Sequence, residues 1–179
     1  MSVQVMIDLE TFGTGNDAVT LSIGAVKFDP ETSGMPLTDG FYVAIDPRSC
    51  VAAGLKMDAS TVMWWMDEDR DEARRALMST ERLDLVTALE GFTMWFGHES
   101  LPVWGNGATF DNVILRSAFR ATGQDCPWHF WHDRCYRTVK NLAPGVELQR
   151  EGTHHHALAD ARSQAAHLLE IMTYLGVGG

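Results

Sequence analysis

The strictest constraint on this chain is a short segment near the N-terminus. Apolar residues alternate there with a second set of residues, all of which are polar except Met6. Residues 3–10 read VQVMIDLE, and a period of two is typical of a β-strand. Asp8 and Glu10 leave the same face of such a strand, with their Cα atoms roughly 6.5–7 Å apart. Burying both carboxylates is costly unless a cation or hydrogen bonds offset their charge. The pair therefore marks either a solvent-exposed edge strand, the commoner case for a lone Asp-x-Glu, or a site for divalent metal ions.

The elements that follow this strand predict the fold class. Residues 19–28 and 41–45 are β-rich, and the turns between the three strands predict an antiparallel meander. An apolar run over residues 101–104 predicts a buried strand, and residues 124–153 show no regular pattern. Helices are predicted over residues 60–78, 81–96, 112–121 and 156–175. This order predicts an α/β fold with a mixed central sheet, an antiparallel meander plus parallel strands, flanked by helices.

Length and composition exclude several classes of protein. The 179 residues, 45% hydrophobic and 21% charged, predict a single globular domain over residues 1–179. The 14 Lys and Arg against 24 Asp and Glu give a net charge of −10, which argues against a protein that coats DNA through phosphate contacts. Three cysteines without CxxC spacing indicate reduced thiols and a cytoplasmic protein. No apolar run reaches the ~18 residues of a membrane helix, so we expect no membrane partner.

A second acidic residue stands in a glycine-rich turn. The segment WGNGATFDNVILRSAF places Gly105 and Gly107 at the end of the predicted strand and Asp111 at the start of a helix. A carboxylate at this point can hold a ligand, while the glycines let a substrate approach closely. Asp is also a favoured N-cap residue, so a purely structural role is equally open.

The third motif, HHHALADAR, contains His155 and Asp160. On one continuous helix, residues five apart project about 140° from each other. If both serve one site, we therefore expect His155 on the loop before the helix and Asp160 in its first turns. Three consecutive histidines also suggest a zinc-binding structural protein, but adjacent side chains cannot comfortably face one ion, and zinc would leave the acids unexplained.

Taken together and in this order, the motifs DLET, NGATFD and H-x4-D before a closing helix resemble the DEDDh 3′–5′ exonucleases of the DnaQ-like or ribonuclease T-like superfamily. The similarity spans residues 5–170. Phage and prophage exonucleases grouped with exodeoxyribonuclease VIII have segments similar to DLETFGTGNDAVTLSIGAV and VWGNGATFDNVILRSAF of this chain. A mycobacterial-type exoribonuclease branch shares the pattern, so the resemblance leaves the sugar open. It implies a ribonuclease H-like fold, with which the element order agrees.

The resemblance also implies an activity. The implied enzyme is a metal-dependent 3′–5′ exonuclease, which hydrolyses phosphodiester bonds from the 3′ end of single-stranded nucleic acid, with DNA favoured. It would release nucleoside 5′-monophosphates. The alternatives are a 3′–5′ exoribonuclease trimming RNA tails and a catalytically silent nucleic-acid-binding module. Relatives often form homodimers, so the resemblance also implies a homodimer as a candidate assembly.

The resemblance assigns roles to individual residues. The four acidic ligands of two Mg²⁺ or Mn²⁺ ions match Asp8, Glu10, Asp111 and Asp160, and the general base matches His155. Ions of this kind, about 3.5–4 Å apart, activate water and stabilise the leaving oxygen. His154 and His156 receive no role.

Substrate contacts are predicted at four positions. Thr11 follows the acidic pair, where relatives contact the terminal nucleotide, and Asn106 with Gly107 stands where many relatives carry His-Asn. Phe12 and one tryptophan of the pair Trp64–Trp65, with Trp64 preferred, are expected to stack on bases, which is a sequence-independent contact.

Overall fold

A six-stranded mixed sheet forms the centre of the structure, a computed structural model that describes residues 3–31, 39–97, 100–107 and 109–177. Its strands are β1 Gln4–Thr11, β2 Thr20–Phe28, β3 Gly40–Ile45, β4 Arg82–Leu83, β5 Val103–Gly105 and β6 Asp133–Cys135. Their spatial order is β4-β3-β2-β1-β5-β6. The first three strands form an antiparallel meander, whereas β4, β5 and β6 pair in parallel with their neighbours. The predicted fold class is confirmed.

Helices cover both faces of this sheet. They are α1 Pro47–Ala52, α2 Ala59–Trp65, α3 Asp71–Ser79, α4 Leu85–Phe96, α5 Asp111–Thr122, α6 Tyr136–Leu142 and α7 Ala157–Leu175. Val5, Ile7 and Leu9 of β1 pack in a core with apolar residues of α4 and α5, and Met6 packs on the opposite face with residues of α6 and α7. None of the helices in the described ranges is long and apolar enough to cross a membrane.

The helix predicted over residues 60–78 is wrong in one respect, because the chain breaks it into two. Helix α2 ends at Trp65, a 3₁₀ turn spans Glu68–Arg70, and α3 starts at Asp71. The guanidinium of Arg74 donates to the carbonyl oxygens of Trp65 and Asp67. These side-chain bonds satisfy carbonyls that a continuous helix would have bonded through its own backbone.

The least regular stretch, residues 124–153, contains β6 and α6, which sequence patterns do not predict. Their position is fixed by tertiary contacts. The Tyr136 hydroxyl and His167 Nδ1 are 2.6 Å apart, and His167 Nε2 lies 2.9 Å from the carbonyl oxygen of Val146. The helix predicted from residue 81 starts later, at Leu85, because residues 82–83 pair with β3 and Asp84 caps the helix.

Candidate active site

The acidic pair lies on the central strand of the sheet and not at its edge. β1 is flanked by β2 and β5, so the edge-strand interpretation of Asp8 and Glu10 is wrong. Both side chains share the face that Met6 presents to α7. Gly24 stands opposite Asp8 in the β1–β2 register, and a Cβ atom there would lie 2.1 Å from the carbonyl carbon of Ala157. The missing side chain therefore lets α7 begin directly against the sheet.

This close approach brings a third acid to the pair. Asp160 lies in the first turn of α7 and is buried. One carboxylate oxygen from each of Asp8, Glu10 and Asp160 lies within 4.8 Å of the others. Three acidic side chains from two elements, distant in sequence, thus converge on one point.

Asp111 joins this group from α5. It is the first residue of the helix and not its N-cap, which is Phe110, so the capping interpretation is wrong. Its Oδ1 accepts the N–H of Leu9 at 3.1 Å, and its Oδ2 accepts the N–H of Asn106 at 2.7 Å. The carboxylate is therefore fixed between β1 and the loop after β5.

Asp8, Glu10 and Asp111 keep their protons more strongly than they would in water. Burial raises the pKa of Asp8 well above its ordinary value, and the three neighbouring carboxylates, Asp111 first, raise it further. Burial and then the charge of Asp160 raise the pKa of Glu10 to about 8. Burial raises the pKa of Asp111 to about 6, although the N–H groups of Asn106 and Leu9 favour its charged form. The site thus holds crowded negative charge that a cation would relieve.

His155 lies on the loop before α7, as its spacing to Asp160 predicts. Its backbone is in the left-handed region, with φ of 62°, and its N–H donates to Asp160 Oδ2 at 2.9 Å. The His155 ring packs perpendicular to the Trp64 ring, with the ring centroids 4.9 Å apart. Burial, followed by the neighbouring His154, lowers the pKa of His155 to about 4, so the ring is unprotonated at neutral pH.

Two of the three consecutive histidines stack on each other, whereas the third turns towards β3. The His154 ring stacks on His155 at 3.8 Å, whereas His156 stacks on Tyr42 at 4.3 Å. His156 is also the N-cap of α7, because its Nδ1 accepts the N–H of Ala159. His154, His155 and Asp160 still bring one ligand atom each within 4.8 Å of one another. A site built from all three histidines, as the zinc alternative requires, does not form.

Sequence patterns missed three residues of this region. Gln164 Nε2 donates to Asp8 Oδ1 at 2.7 Å, and its Oε1 is buried without a partner in the described part of the chain. Its place four residues after Asp160 on one helix face was a usable signal. Arg150, which pairs with Asp160, lies in an irregular segment and gave no signal. Phe110 lies in the glycine-rich motif and lines the cleft, but no feature of that motif indicated this.

A cleft of about 520 Å³ is lined by Asp8, Glu10, His155 and Asp160, whereas the buried Asp111 is not among its lining residues. Among the predicted substrate contacts, Thr11, Trp64 and Asn106 line it. Trp64 is 38% exposed, whereas Trp65 is 3% exposed. Phe12 is partly buried against the hydrophobic core and is absent from the described lining, so its stacking role stays a prediction without support from the cleft. The cleft is lined by Asp8, Leu9, Glu10, Thr11, Thr14, Ser60, Thr61, Trp64, Trp65, Asn106, Phe110, Arg150, His154, His155, Asp160 and Gln164.

The fold and this acidic cleft define a class, the DnaQ-like exonucleases with a ribonuclease H-like fold. Residues 3–172 match the 3′–5′ exoribonuclease Rv2179c-like domain, and the chain belongs to this family. The predicted membership in the superfamily and the predicted 3′–5′ exonuclease class are thereby confirmed, and exonucleases of this kind are metal-dependent.

Individual relatives give the same class. The chain is 24% identical over 156 residues to the exodeoxyribonuclease of Enterobacteria phage T4, covering 74% of this chain and 68% of that protein. Its fold is similar to Escherichia coli exonuclease I in complex with a dT13 oligonucleotide, with a TM-score of 0.65, 16% identity and 98% of this chain covered. Exonuclease I from Methylocaldum szegediense gives a TM-score of 0.63 at 15% identity, again over 98% of this chain. This chain spans 43% of the length of either exonuclease I chain.

Proposed function

We propose that this chain removes nucleotides one at a time from the 3′ end of single-stranded nucleic acid in the cleft described above. Asp8, Glu10, Asp111 and Asp160 would hold two Mg²⁺ or Mn²⁺ ions, and His155 would act as general base. The observation that carries the proposal is the convergence of three carboxylates, those of Asp8, Glu10 and Asp160, within 4.8 Å of one another beside an unprotonated imidazole. The fourth acid, Asp111, accepts the N–H of Leu9, the residue between the first two.

The donor set fits hard divalent ions. All four acidic side chains offer oxygen ligands, which Mg²⁺ and Mn²⁺ prefer. Burial first, and then the charges of the neighbouring carboxylates, raise the pKa values of Asp8 and Glu10, and bound cations would offset the contribution of the like charges. Gln164, whose Oε1 is buried without a partner in the described part of the chain, lines the same cleft. When bound, such ions make water nucleophilic at neutral pH and offset the charge that develops on the phosphate and the leaving oxygen.

The chain's own residues would handle the proton. An imidazole nitrogen of His155 takes a proton from the attacking water, whose oxygen forms a bond to phosphorus while the bond from phosphorus to the 3′-oxygen breaks. The leaving 3′-oxygen takes a proton from solvent, so the products are a nucleoside 5′-monophosphate and a shortened strand with a free 3′-hydroxyl. The hydrogen bond from the backbone N–H of His155 to the Asp160 carboxylate fixes the position of the proposed base relative to the acids.

The cleft suits one or two unpaired nucleotides. The exposed face of Trp64 and the ring of Phe110 line it, and aromatic faces stack on bases without sequence preference. The likeness to exonuclease I in complex with dT13 and to a phage exodeoxyribonuclease supports single-stranded DNA as the first candidate substrate. RNA tails are the second candidate, because the matching family is described as exoribonuclease. A catalytically silent module is disfavoured by the complete set of four acids and His155.

The wider setting is part of the same proposal. Residues 1–179 would work as a single exonuclease domain in the cytoplasm, which the three free cysteines support. A homodimer stays a prediction, and the mass of the protein in solution tests it.

A direct assay uses 5′-labelled single-stranded DNA and RNA of the same sequence with Mg²⁺, Mn²⁺ or EDTA. We expect a ladder of shortened strands and released monophosphates with either metal, and no cleavage in EDTA. The substrate that is shortened faster shows whether the enzyme prefers deoxyribose or ribose.

Two controls test dependence on a 3′ end. A circular single strand should resist degradation, and a linear strand ending in a 3′-phosphate should be degraded slowly. Rapid cutting of the circle would show an endonuclease and would contradict the proposal.

A further inference from the structure

Arg150 has an unusual position in this cleft. It is the one arginine or lysine that lines the cleft in the described ranges. Its Nη1 donates to Asp160 Oδ1 at 2.6 Å, while Asp160 Oδ2 accepts the N–H of His155. The Arg150 side chain is 44% exposed, and that of Asp160 is 9% exposed. The guanidinium therefore covers a buried carboxylate from the solvent side.

This ion pair competes with the role that Asp160 has in the proposed function. A carboxylate oxygen that ligates a metal ion cannot keep the same lone pairs for a guanidinium, so two kinds of cation compete for Asp160. The Arg150 side chain is half-exposed, so solvent weakens this ion pair, and a metal ion that replaced the guanidinium would still compensate the buried charge of Asp160. A metal ion at Asp160 would release Arg150 at the mouth of the cleft, close to where the substrate phosphate must sit.

We propose that Arg150 exchanges partners, binding Asp160 in the empty site and the phosphate of the terminal nucleotide once metal ions occupy the acids. The inference rests on the proposed function. A guanidinium presents a planar set of donors that fits two phosphate oxygens at once. It would give an otherwise acidic cleft one cationic group for its polyanionic substrate.

The neighbouring backbone is anchored, so the exchange needs only side-chain movement. The N–H of Glu151 donates to Ser163 Oγ at 3.0 Å, and Thr153 Oγ1 donates to Glu72 Oε1 at 2.9 Å. Gly152 between them has φ of +77°, and a Cβ atom there would lie 3.1 Å from the Cβ of Ala159. The segment is thus held against α7 and α3 on both sides of this glycine.

The test compares Arg150→Gln and Arg150→Lys with the wild type. Arg162→Gln is the matched control, because Arg162 is exposed on α7 two residues after Asp160, the substitution removes the same charge, and Arg162 does not line the cleft. Calorimetry measures Mn²⁺ binding without nucleotide. It then measures binding of thymidine and uridine 5′-monophosphate in Ca²⁺, which requires no turnover.

We expect Arg150→Gln to bind Mn²⁺ at least as tightly as the wild type, because the competitor for Asp160 is gone. Its affinity for the preferred monophosphate should fall about tenfold or more, the usual effect of losing a charge-assisted hydrogen bond. Arg150→Lys should fall between the two, and Arg162→Gln should match the wild type in both measurements.

Two results would overturn the inference. One is unchanged monophosphate binding by Arg150→Gln, and the other is a large loss of its Mn²⁺ affinity, which would make Arg150 a structural support of the metal site. Failure of the proposed function looks different, since the wild type itself would then neither bind Mn²⁺ at the acids nor shorten a strand.

Discussion

Asp8 and Asp111 carry the same charge, yet their hydrogen bonds predict different responses to the same substitution. Asp8 Oδ1 accepts one bond, from Gln164 Nε2, and an asparagine oxygen can accept it equally well. Both oxygens of Asp111 accept backbone N–H groups. An asparagine there would point its NH₂ group at one of these donors.

We therefore expect Asp8→Asn to raise the melting temperature of the metal-free protein, since it removes charge from a crowded acidic site. Asp111→Asn should instead lose about 1–3 kcal/mol, the cost of an unsatisfied buried donor. Both variants should lose detectable cleavage with Mg²⁺. Thermal melts in EDTA and strand-shortening rates check this, and near-wild-type turnover in either variant would contradict the assignment of that acid.

His155 and its two neighbours should separate cleanly by function. His155→Ala should lower kcat by about 10²–10⁴, the usual contribution of a positioned general base. His156→Ala should keep most activity but lose about 1 kcal/mol of stability, because it removes the cap of α7. His154→Ala should cost little activity.

Strain at His155 provides a control for this series. Its φ of 62° suits glycine better than alanine, so His155→Gly should melt above His155→Ala and be equally inactive. Equal losses of activity at positions 154, 155 and 156 would instead indicate a shared metal or structural role.

At the scale of elements, the break between α2 and α3 sets the position of Trp64 and Trp65, which line one side of the cleft and are called the tryptophan wall below. Arg74 holds the end of α2 through the carbonyl oxygens of Trp65 and Asp67. The Arg70 guanidinium lies 4.3 Å from the centre of the Trp64 ring. The ring in turn contacts His155. The wall and the proposed base therefore depend on the same local structure.

Arg74→Met should remove the bonds that end α2 and let the tryptophans shift. We expect KM for a single strand to rise several-fold with a smaller change in kcat, together with a loss of about 1–2 kcal/mol in the free energy of unfolding. Arg75→Met is the control, because Arg75 is exposed and its ion pair with Asp71 is made on the same helix. Equal effects from the two variants would contradict a role for Arg74 in positioning the wall.

Elements whose hydrophobic pattern repeats several times were predictable from the sequence, and elements held in place by tertiary contacts were not. β1, α5 and α7 each show several repeats of their pattern, and the spacing of His155 and Asp160 predicted their placement around the start of α7. β4 and β6 have two and three residues, too few to show a period. The break before α3 depends on Arg74, whose side chain bonds to carbonyl oxygens seven and nine residues earlier, a contact that no helical spacing indicates. Arg150 reaches Asp160 from an irregular segment.

At the scale of the whole molecule, the buried acids should make stability depend on pH in an unusual direction. Folding raises the pKa of Glu10 from 4.5 to about 8 and that of Asp111 from 3.8 to about 6. At these two acids the folded state therefore binds more protons than the unfolded state between about pH 4 and pH 8, and the stability that they contribute is lost as pH rises. Burial lowers the pKa of His155 from 6.5 to about 4, which acts in the opposite direction below about pH 6.5 and offsets part of this loss.

We expect the metal-free protein to lose roughly 5 °C or more in melting temperature between about pH 5 and pH 8. Saturating Mg²⁺ should remove most of this loss, because the ions replace the protons. Thermal melts across pH with EDTA or Mg²⁺ measure it, and Asp8→Asn should show a smaller slope. A metal-free melting temperature that rises steadily to pH 8 would contradict the crowding of unpaired charge at the site.

The central claim, that the four acids hold the metal ions, can be tested most directly by the anomalous scattering of Mn²⁺ in crystals of the protein with a bound nucleoside 5′-monophosphate. Within the described ranges, the structure offers two candidate clusters, Asp8–Glu10–Asp160 and His154–His155–Asp160. The account predicts two manganese peaks among Asp8, Glu10, Asp111 and Asp160, with His155 near the phosphate and unbound to metal. A single peak ligated by His154 and His155, with Asp8 and Glu10 free of metal, would contradict it.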